Sequence, residues 1–277
     1  MKPLRFLWVL VVCLGVAGCG KRSESSIQNP GESAVKRTDD LPSDPEEKYR
    51  VTYVRAAQAF SRNDLETAIQ FLDLAEQAKP SQANTANLRG AIHTRQRDWS
   101  KAQAAFEEAL KLQPDLPMAQ FNLGEVLFLN GKYPEARERF QTFLNSQPKN
   151  DLGLYKIYLC DLLGGNKAKA EDFLRSLQPD PASPIYYFSK AAEAFVQGNK
   201  AAAMEFVGSA YRIYSADANA TFADSLVEKG YLSREQAEKI PEEDGKTRTS
   251  DLETILPQMK KEEDTKTENL LPGPAKP

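Results

Sequence analysis

The chain of 277 residues holds one histidine, and neither its cysteines nor its histidine form pairs at metal-ligand spacing. Zinc-type ligand sets are therefore excluded, and an acid-base site built on histidine has only His93 to draw on. That residue falls inside a helical pattern and reads as a packing or surface residue. The acidic runs Glu242 to Asp244 and Glu262 to Asp264 lack the order of a calcium loop. No glycine-rich phosphate loop appears, because Gly164 and Gly165 are followed by Asn166 and Lys167. Neither sign of charge dominates, with 36 basic against 39 acidic residues, so no basic face for nucleic acid is expected. Cys160 sits among Tyr155, Ile157, Tyr158 and Leu159, where a lone cysteine behaves as a small buried hydrophobe. With no general base at a convincing spacing, the expectation is a protein that is not an enzyme, with no catalytic residues, no cofactor and no metal.

Long apolar runs are also missing. The one charge-free stretch, Phe6 to Ala17, follows Lys2 and Arg5 and is shorter than the ~20 residues a transmembrane helix needs. A basic start, a short greasy core and small residues are the layout of a signal peptide. The run closes on Val16, Ala17, Gly18 and Cys19, which resemble the bacterial lipobox. That resemblance implies lipidation of Cys19 and removal of residues 1–18, leaving 34 basic against 39 acidic groups, a net charge of −5. Each buried methylene of such lipid adds about 0.8 kcal/mol, so two or more chains anchor stably. Cys13 leaves with the leader and Cys19 is acylated, so Cys160 has no partner for an intramolecular disulfide. Gly20 differs from the aspartate of the inner-membrane retention signal. The expected location is the cell membrane or outer membrane, with the protein facing the periplasm or the exterior.

From residue 19 to 44 the chain is polar and proline-containing, without enough apolar surface to offset ordering entropy, and reads as a tether reaching on the order of 25 to 30 Å. After it comes a period. Alanine stands at positions 68, 102, 136 and 170, spaced by 34, and again at 203. Four residues after each come Leu72, Phe106, Phe140, Leu174 and Val207, and twelve before come Ala56, Gly90, Gly124 and Ala191. Asn63, Arg97, Gly131, Gly165 and Gly198 fall between these columns, and Pro80, Pro114 and Pro148 follow the first three units. The pattern predicts helix, tight turn, helix, five times over.

Leu123, Gly124, Gly131, Tyr133, Ala136, Phe140 and Pro148 resemble the tetratricopeptide motif almost position by position. The fold class this implies is all-α, a tetratricopeptide-repeat helical superhelix with repeats near 49–82, 83–116, 117–150, 151–183 and 184–217. Arg55 and Arg89 depart from it, standing where the motif has a buried leucine, and Tyr158 replaces the small residue of the helix crossing, which predicts a wider crossing in repeat four. Ala220 to Lys229 and Ser233 to Lys239 read as a capping helix pair, completing a folded region 45–240. Residues 241–277 are polar and read as a largely disordered tail, interrupted by Leu252, Ile255, Leu256 and Met259, which share one helical face.

In the family resembled, the first helix of each repeat lines a concave groove. Carried over by position, the partner-binding residues are Tyr53, Phe60, Asn84, Asn87, Met118, Phe121, Glu125, Phe128, Leu152, Tyr155, Leu162, Phe188 and Phe195. Tyr53, Ala57, Leu88, Met118 and Asn122 occupy the places of the lysine, asparagine and arginine clamp that some members use for chaperone C-termini, so that clamp is absent. The expected groove is polar near its start and strongly apolar after that, suited to a greasy or amphipathic segment. Its expected occupants are protein partners of the cell envelope, with the island at 252–259 as a candidate for self-docking. The function this implies is a membrane-anchored protein-protein interaction scaffold, with an assembly factor or carrier for outer-membrane or secretion-system proteins as the alternative.

Overall fold

The computed structural model describes residues 41–238, which contain twelve helices and no strand. They divide into two compact units, 41–149 and 150–238.

The first unit is three helical hairpins: α1 (Pro45–Ser61) with α2 (Leu65–Ala78), α3 (Ala83–Arg95) with α4 (Trp99–Leu112), and α5 (Pro117–Leu129) with α6 (Tyr133–Ser146). Side-chain carboxylates set several of the starts. Asp44, Asp64 and Asp98 accept hydrogen bonds from the backbone N–H of Glu47, Thr67 and Lys101, satisfying donors that a helix leaves unpaired in its first turn. Within each hairpin the chain reverses through a residue in the left-handed region: Asn63 at φ 61°, Arg97 at 59° and Gly131 at 74°. The second helices stop two residues before Pro80, Pro114 and Pro148, which cannot donate to a continuing helix.

The alanine column is what lets the two helices of a hairpin approach. Ala68, Ala102 and Ala136 are wholly buried, as are Leu72, Phe106 and Phe140 one turn on. Opposite them, a Cβ placed on Gly90 would lie 2.6 Å from Phe106 Cδ1, and one on Gly124 would lie 2.8 Å from Phe140 Cε1. The aromatic ring of the second helix occupies the space that the glycine of the first leaves open.

The second unit contains α7 (Asp151–Leu163), α8 (Lys167–Ser176), α9 (Ile185–Val196), α10 (Lys200–Ile213), α11 (Ala216–Glu228) and α12 (Arg234–Glu238). Gly165 and Gly198 turn two of its hairpins at φ 83° and 79°. Tyr158 fills the crossing position with a ring that stacks on Phe173 at 5.3 Å and a hydroxyl that donates to the Ser189 carbonyl at 3.0 Å. A side chain of that size keeps α7 and α8 from the close contact seen in the first unit, and α7 meets α9 almost as extensively as it meets α8.

The capping pair has more of the repeat about it than expected. Its first helix starts at Ala216, not Ala220, because Ser215 caps it by accepting from the Ala218 N–H at 3.3 Å. Gly230 then turns the chain at φ 76°, Ala223 and Leu232 are buried, and Ser233 and Gln236 exchange hydrogen bonds as a capping box opening α12. The hairpin α11–α12 thus repeats the turn geometry of those before it. Helix α12 is described as far as Glu238, so Lys239 and the segment 241–277 with its island lie outside the described residues, as do Cys19 and the whole leader.

Candidate protein-binding site

Each first helix presents a face at positions spaced by three and four, and the two units carry separate stretches of it. In the first unit that face is more polar than expected. Asn84 is exposed, while Tyr53, Met118 and Glu125 are half-buried. Burial holds the Tyr53 hydroxyl in its neutral form, raising its pKa to about 12, with the neighbouring Tyr49 adding to the shift. Asn87 and Asn122 are buried and joined, the Asn122 amide donating to the Asn87 carbonyl oxygen at 3.1 Å. The Asn122 Oδ1 is buried and finds no hydrogen-bond partner.

The large apolar residues of the predicted groove lie inside. Phe60 is 2% exposed, with the Arg95 guanidinium 4.2 Å from its ring centre. Phe121 is edge-on to Phe140 and Phe143 at 5.3 and 5.1 Å, and Phe128 packs at 5.6 Å on Tyr133. The rings of Phe121 and Phe128 are held by the second helix of their own repeat, and that of Phe60 is covered by the first helix of the next. A first helix must pack on its hairpin partner and on adjacent first helices, so its apolar positions are consumed by the array before a ligand arrives.

The second unit corrects the expectation in the same way. Tyr155 is fully buried, its ring 5.2 Å from Phe222, and burial raises its hydroxyl well above the ordinary tyrosine range. Phe188 lies between Phe222, stacked at 5.8 Å, and Tyr211 at 6.4 Å, and Phe195 stacks on Tyr231 at 5.6 Å. Leu152 and Leu162 remain half-buried. The apolar patch expected from Met118, Phe121, Phe128, Leu152, Leu162, Phe188 and Phe195 is therefore absent, since four of those residues form interior. With it goes the reason for the tail to cover one.

The two departures from the motif find partners. Arg55 places its guanidinium 5.6 Å from the Phe71 ring centre, and Arg89 pairs with Asp73 at 3.0 Å, so each lies over or beside the preceding or paired helix where leucine would have been buried. His93 is half-buried and Cys160 buried. Among the described residues no three acidic, histidine or cysteine side chains are grouped to hold a metal ion, and no helix is long and apolar enough to cross a membrane.

Sequence missed the Asn87–Asn122 pair. Asn87 is on the predicted face and Asn122 at one of the clamp positions, but only the juxtaposition of α3 and α5 shows that they bond to each other. A weak signal existed in two amides 35 positions apart, one residue off the period.

Comparison with known proteins identifies the repeats. Residues 89–151 match the tetratricopeptide repeat family. The crystal structure of PilW, described as a widely conserved type IV pilus biogenesis factor, superposes with a TM-score of 0.51 at 20% identity, over 76% of this chain and 94% of that one. In sequence, the DnaJ homolog subfamily C member 7 homolog of Schizosaccharomyces pombe is 28% identical over 119 residues, 39% of this chain and 25% of that protein. Protein O-mannosyl-transferase TMTC1 of Mus musculus is 32% identical over 101 residues, 36% of this chain and 11% of that protein. The chain thus spans a quarter of one relative's length and about a tenth of the other's. Residues 89–151 thus carry the tetratricopeptide repeat, and the described residues form the all-α fold of successive helical hairpins that such repeats build.

Proposed function

We propose that the protein is a scaffold of the bacterial cell envelope, anchored by lipid on Cys19, whose first-helix face captures a segment of a partner protein. The observation that carries the binding reading is the chemically mixed row on that face in the first unit, where exposed Asn84 lies with half-buried Tyr53, Met118 and Glu125. They suit a segment held by hydrogen bonds and a few apolar contacts more than the greasy helix expected from sequence. The anchor rests on the basic start, the short apolar core and the lipobox resemblance at Val16 to Cys19.

Two measurements test this. Cys19→Ser should move the protein from the detergent phase to the aqueous phase with its helical circular dichroism unchanged, and a variant that stays in the detergent phase removes the anchor. Crosslinking in intact cells followed by isolation of the full chain should yield a defined complex, and Asn84→Ala with Glu125→Ala should weaken it about tenfold, or ~1.4 kcal/mol. The alternative, an assembly factor or carrier, shares its fold with the pilus biogenesis factor, and at 20% identity the fold carries no partner across. A heterogeneous set of crosslinked outer-membrane or secretion-system proteins would favour it.

A further inference from the structure

In the first unit a pocket of about 410 Å³ opens between α2, α3 and α4. Helix α3 contributes Ala86, Arg89 and His93, one helical face, and at 100° per residue this face points nearly opposite to the face carrying Asn84 and Asn87. In the next repeat the same places are taken by Gln120, Leu123 and Leu127, all buried. The pocket exists because the second repeat carries a small residue and two polar ones where its neighbour is filled. Three alanines, Ala86, Ala104 and Ala105, line it together with Leu112, which is 37% exposed and one of two large apolar side chains so exposed among the described residues.

Charge is distributed along the pocket. Helices α3 and α4 run antiparallel, so His93 and Lys101 share the end near the hairpin turn, with Arg89 one turn further in. Glu76 and Glu108 stand at the other end. Seven residues of α4 separate Lys101 from Glu108, about 10 Å along the axis. The basic groups are already oriented. Arg89 Nη2 lies 3.0 Å from Asp73 Oδ1, Lys101 Nζ lies 2.8 Å from Asp98 Oδ2, and His93 Nδ1 lies 3.1 Å from Gln96 Oε1. Each of these contacts uses one nitrogen, and the remaining N–H groups of the Arg89 guanidinium and the other ring nitrogen of His93 are left for a ligand.

We propose that this pocket is a second protein-recognition site, distinct from the first-helix face, for an extended partner segment of the pattern basic, any, aliphatic, any, acidic. The spacing follows from strand geometry. Alternate side chains of an extended segment point the same way and lie about 6.8 Å apart, and the four residues from Ala105 back to Lys101 span about 6 Å. An aliphatic side chain set on Ala104 and Ala105 therefore brings a carboxylate two residues away toward His93 and Lys101, within reach of the Arg89 guanidinium. A basic side chain two residues the other way reaches Glu76 and Glu108.

The test is a titration of the isotope-labelled full chain with the acetylated, amidated peptide Lys-Ser-Leu-Ser-Glu, followed by amide chemical shifts. Saturable shifts at Ala86, Arg89, Ala104, Ala105 and Leu112 are expected. Affinity should fall about tenfold for Arg89→Gln, from loss of a charge-assisted pair, and for the peptide with alanine in place of leucine. Ala104→Trp should abolish binding while keeping the fold, because Ala104 is exposed and its replacement fills the pocket from outside. Equal binding of Lys-Ser-Leu-Ser-Lys, or shifts unaffected by Ala104→Trp, would overturn the proposal. Shifts confined to Asn84, Met118 and Glu125 would also overturn it while leaving the first-helix face as the binding site.

Discussion

Gly90 and Phe106 make one joint. The glycine has no Cβ because the ring is already there, and an added methyl would sit 2.6 Å from Cδ1 and Cε1 and 2.9 Å from Cζ. Gly90→Ala gains about 1 kcal/mol of helix propensity but overpacks by about 1–3 kcal/mol, so a net loss of roughly 1 kcal/mol is expected in thermal unfolding. Phe106→Leu should recover part of that loss in the double variant, since the two residues are in contact and their effects do not add. Additive losses would mean that the ring is not what confines the glycine. Both members were legible in the sequence as columns of the period. His93 and Arg89 were not, because a residue that departs from a repeat states only what it fails to do. What it does instead depends on which neighbours also shrank, here Ala86, Ala104 and Ala105.

The hairpin turn is the element in which the repeat is least tolerant of chemistry. Five first-helix ends reverse through the left-handed region in register, at Asn63, Arg97, Gly131, Gly165 and Gly198, and Gly230 repeats the geometry in the last pair. Asparagine is tolerated there, but arginine holds φ 59° against a Cβ clash worth roughly 1–2 kcal/mol. Glycine would relieve this and forfeit some unfolded-chain entropy. Arg97→Gly should therefore stabilise the protein by about 0.5–1 kcal/mol, read as a higher denaturant midpoint with unchanged slope. A lower midpoint would show that the exposed side chain contributes contacts exceeding the strain. The position of the turn was readable from sequence in all five units, because turn residues punctuate a 34-residue period. The start of α11 was not, since Ser215 follows a second helix so closely that periodicity runs across the boundary and only the cap hydrogen bond marks it.

At the scale of the described residues as a whole, six tyrosines share one property. Burial raises the hydroxyls of Tyr49, Tyr53, Tyr155, Tyr158, Tyr187 and Tyr214, in both units. A phenol with a raised folded pKa binds its proton more tightly in the native state. Stability is then fully present below the ordinary tyrosine value near 10 and is lost as pH climbs from there through the folded values. Alkaline unfolding beginning at about pH 10 to 11 is expected, with tyrosinate absorbance and loss of helical circular dichroism rising together. Tyr155 makes the strongest single case, since its hydroxyl is fully buried without a hydrogen-bond partner. Tyr155→Phe should leave neutral-pH stability equal or higher by about 1 kcal/mol and move the alkaline transition upward. Tyrosinate absorbance rising well before the helix signal falls would show that these hydroxyls reach solvent in the folded chain.

By itself the sequence determined the repeat: its period, its all-α class, its turn positions and the pairing of small residues with rings. Those features are local or recur every 34 residues, so a helix of 3.6 residues per turn projects them onto definite faces wherever the chain lies. Only the tertiary structure decided what those faces meet. Phe121 and Asn84 occupy first-helix positions of the same predicted groove, yet one is enclosed by Phe140 and Phe143 and the other is exposed. Periodicity specifies the direction of a side chain but not how far the neighbouring helix stands from it. That distance is set by the combined size of residues on three helices at once, which is why the groove proved more polar than its sequence and why the pocket beside Arg89 could not be seen before the helices were packed.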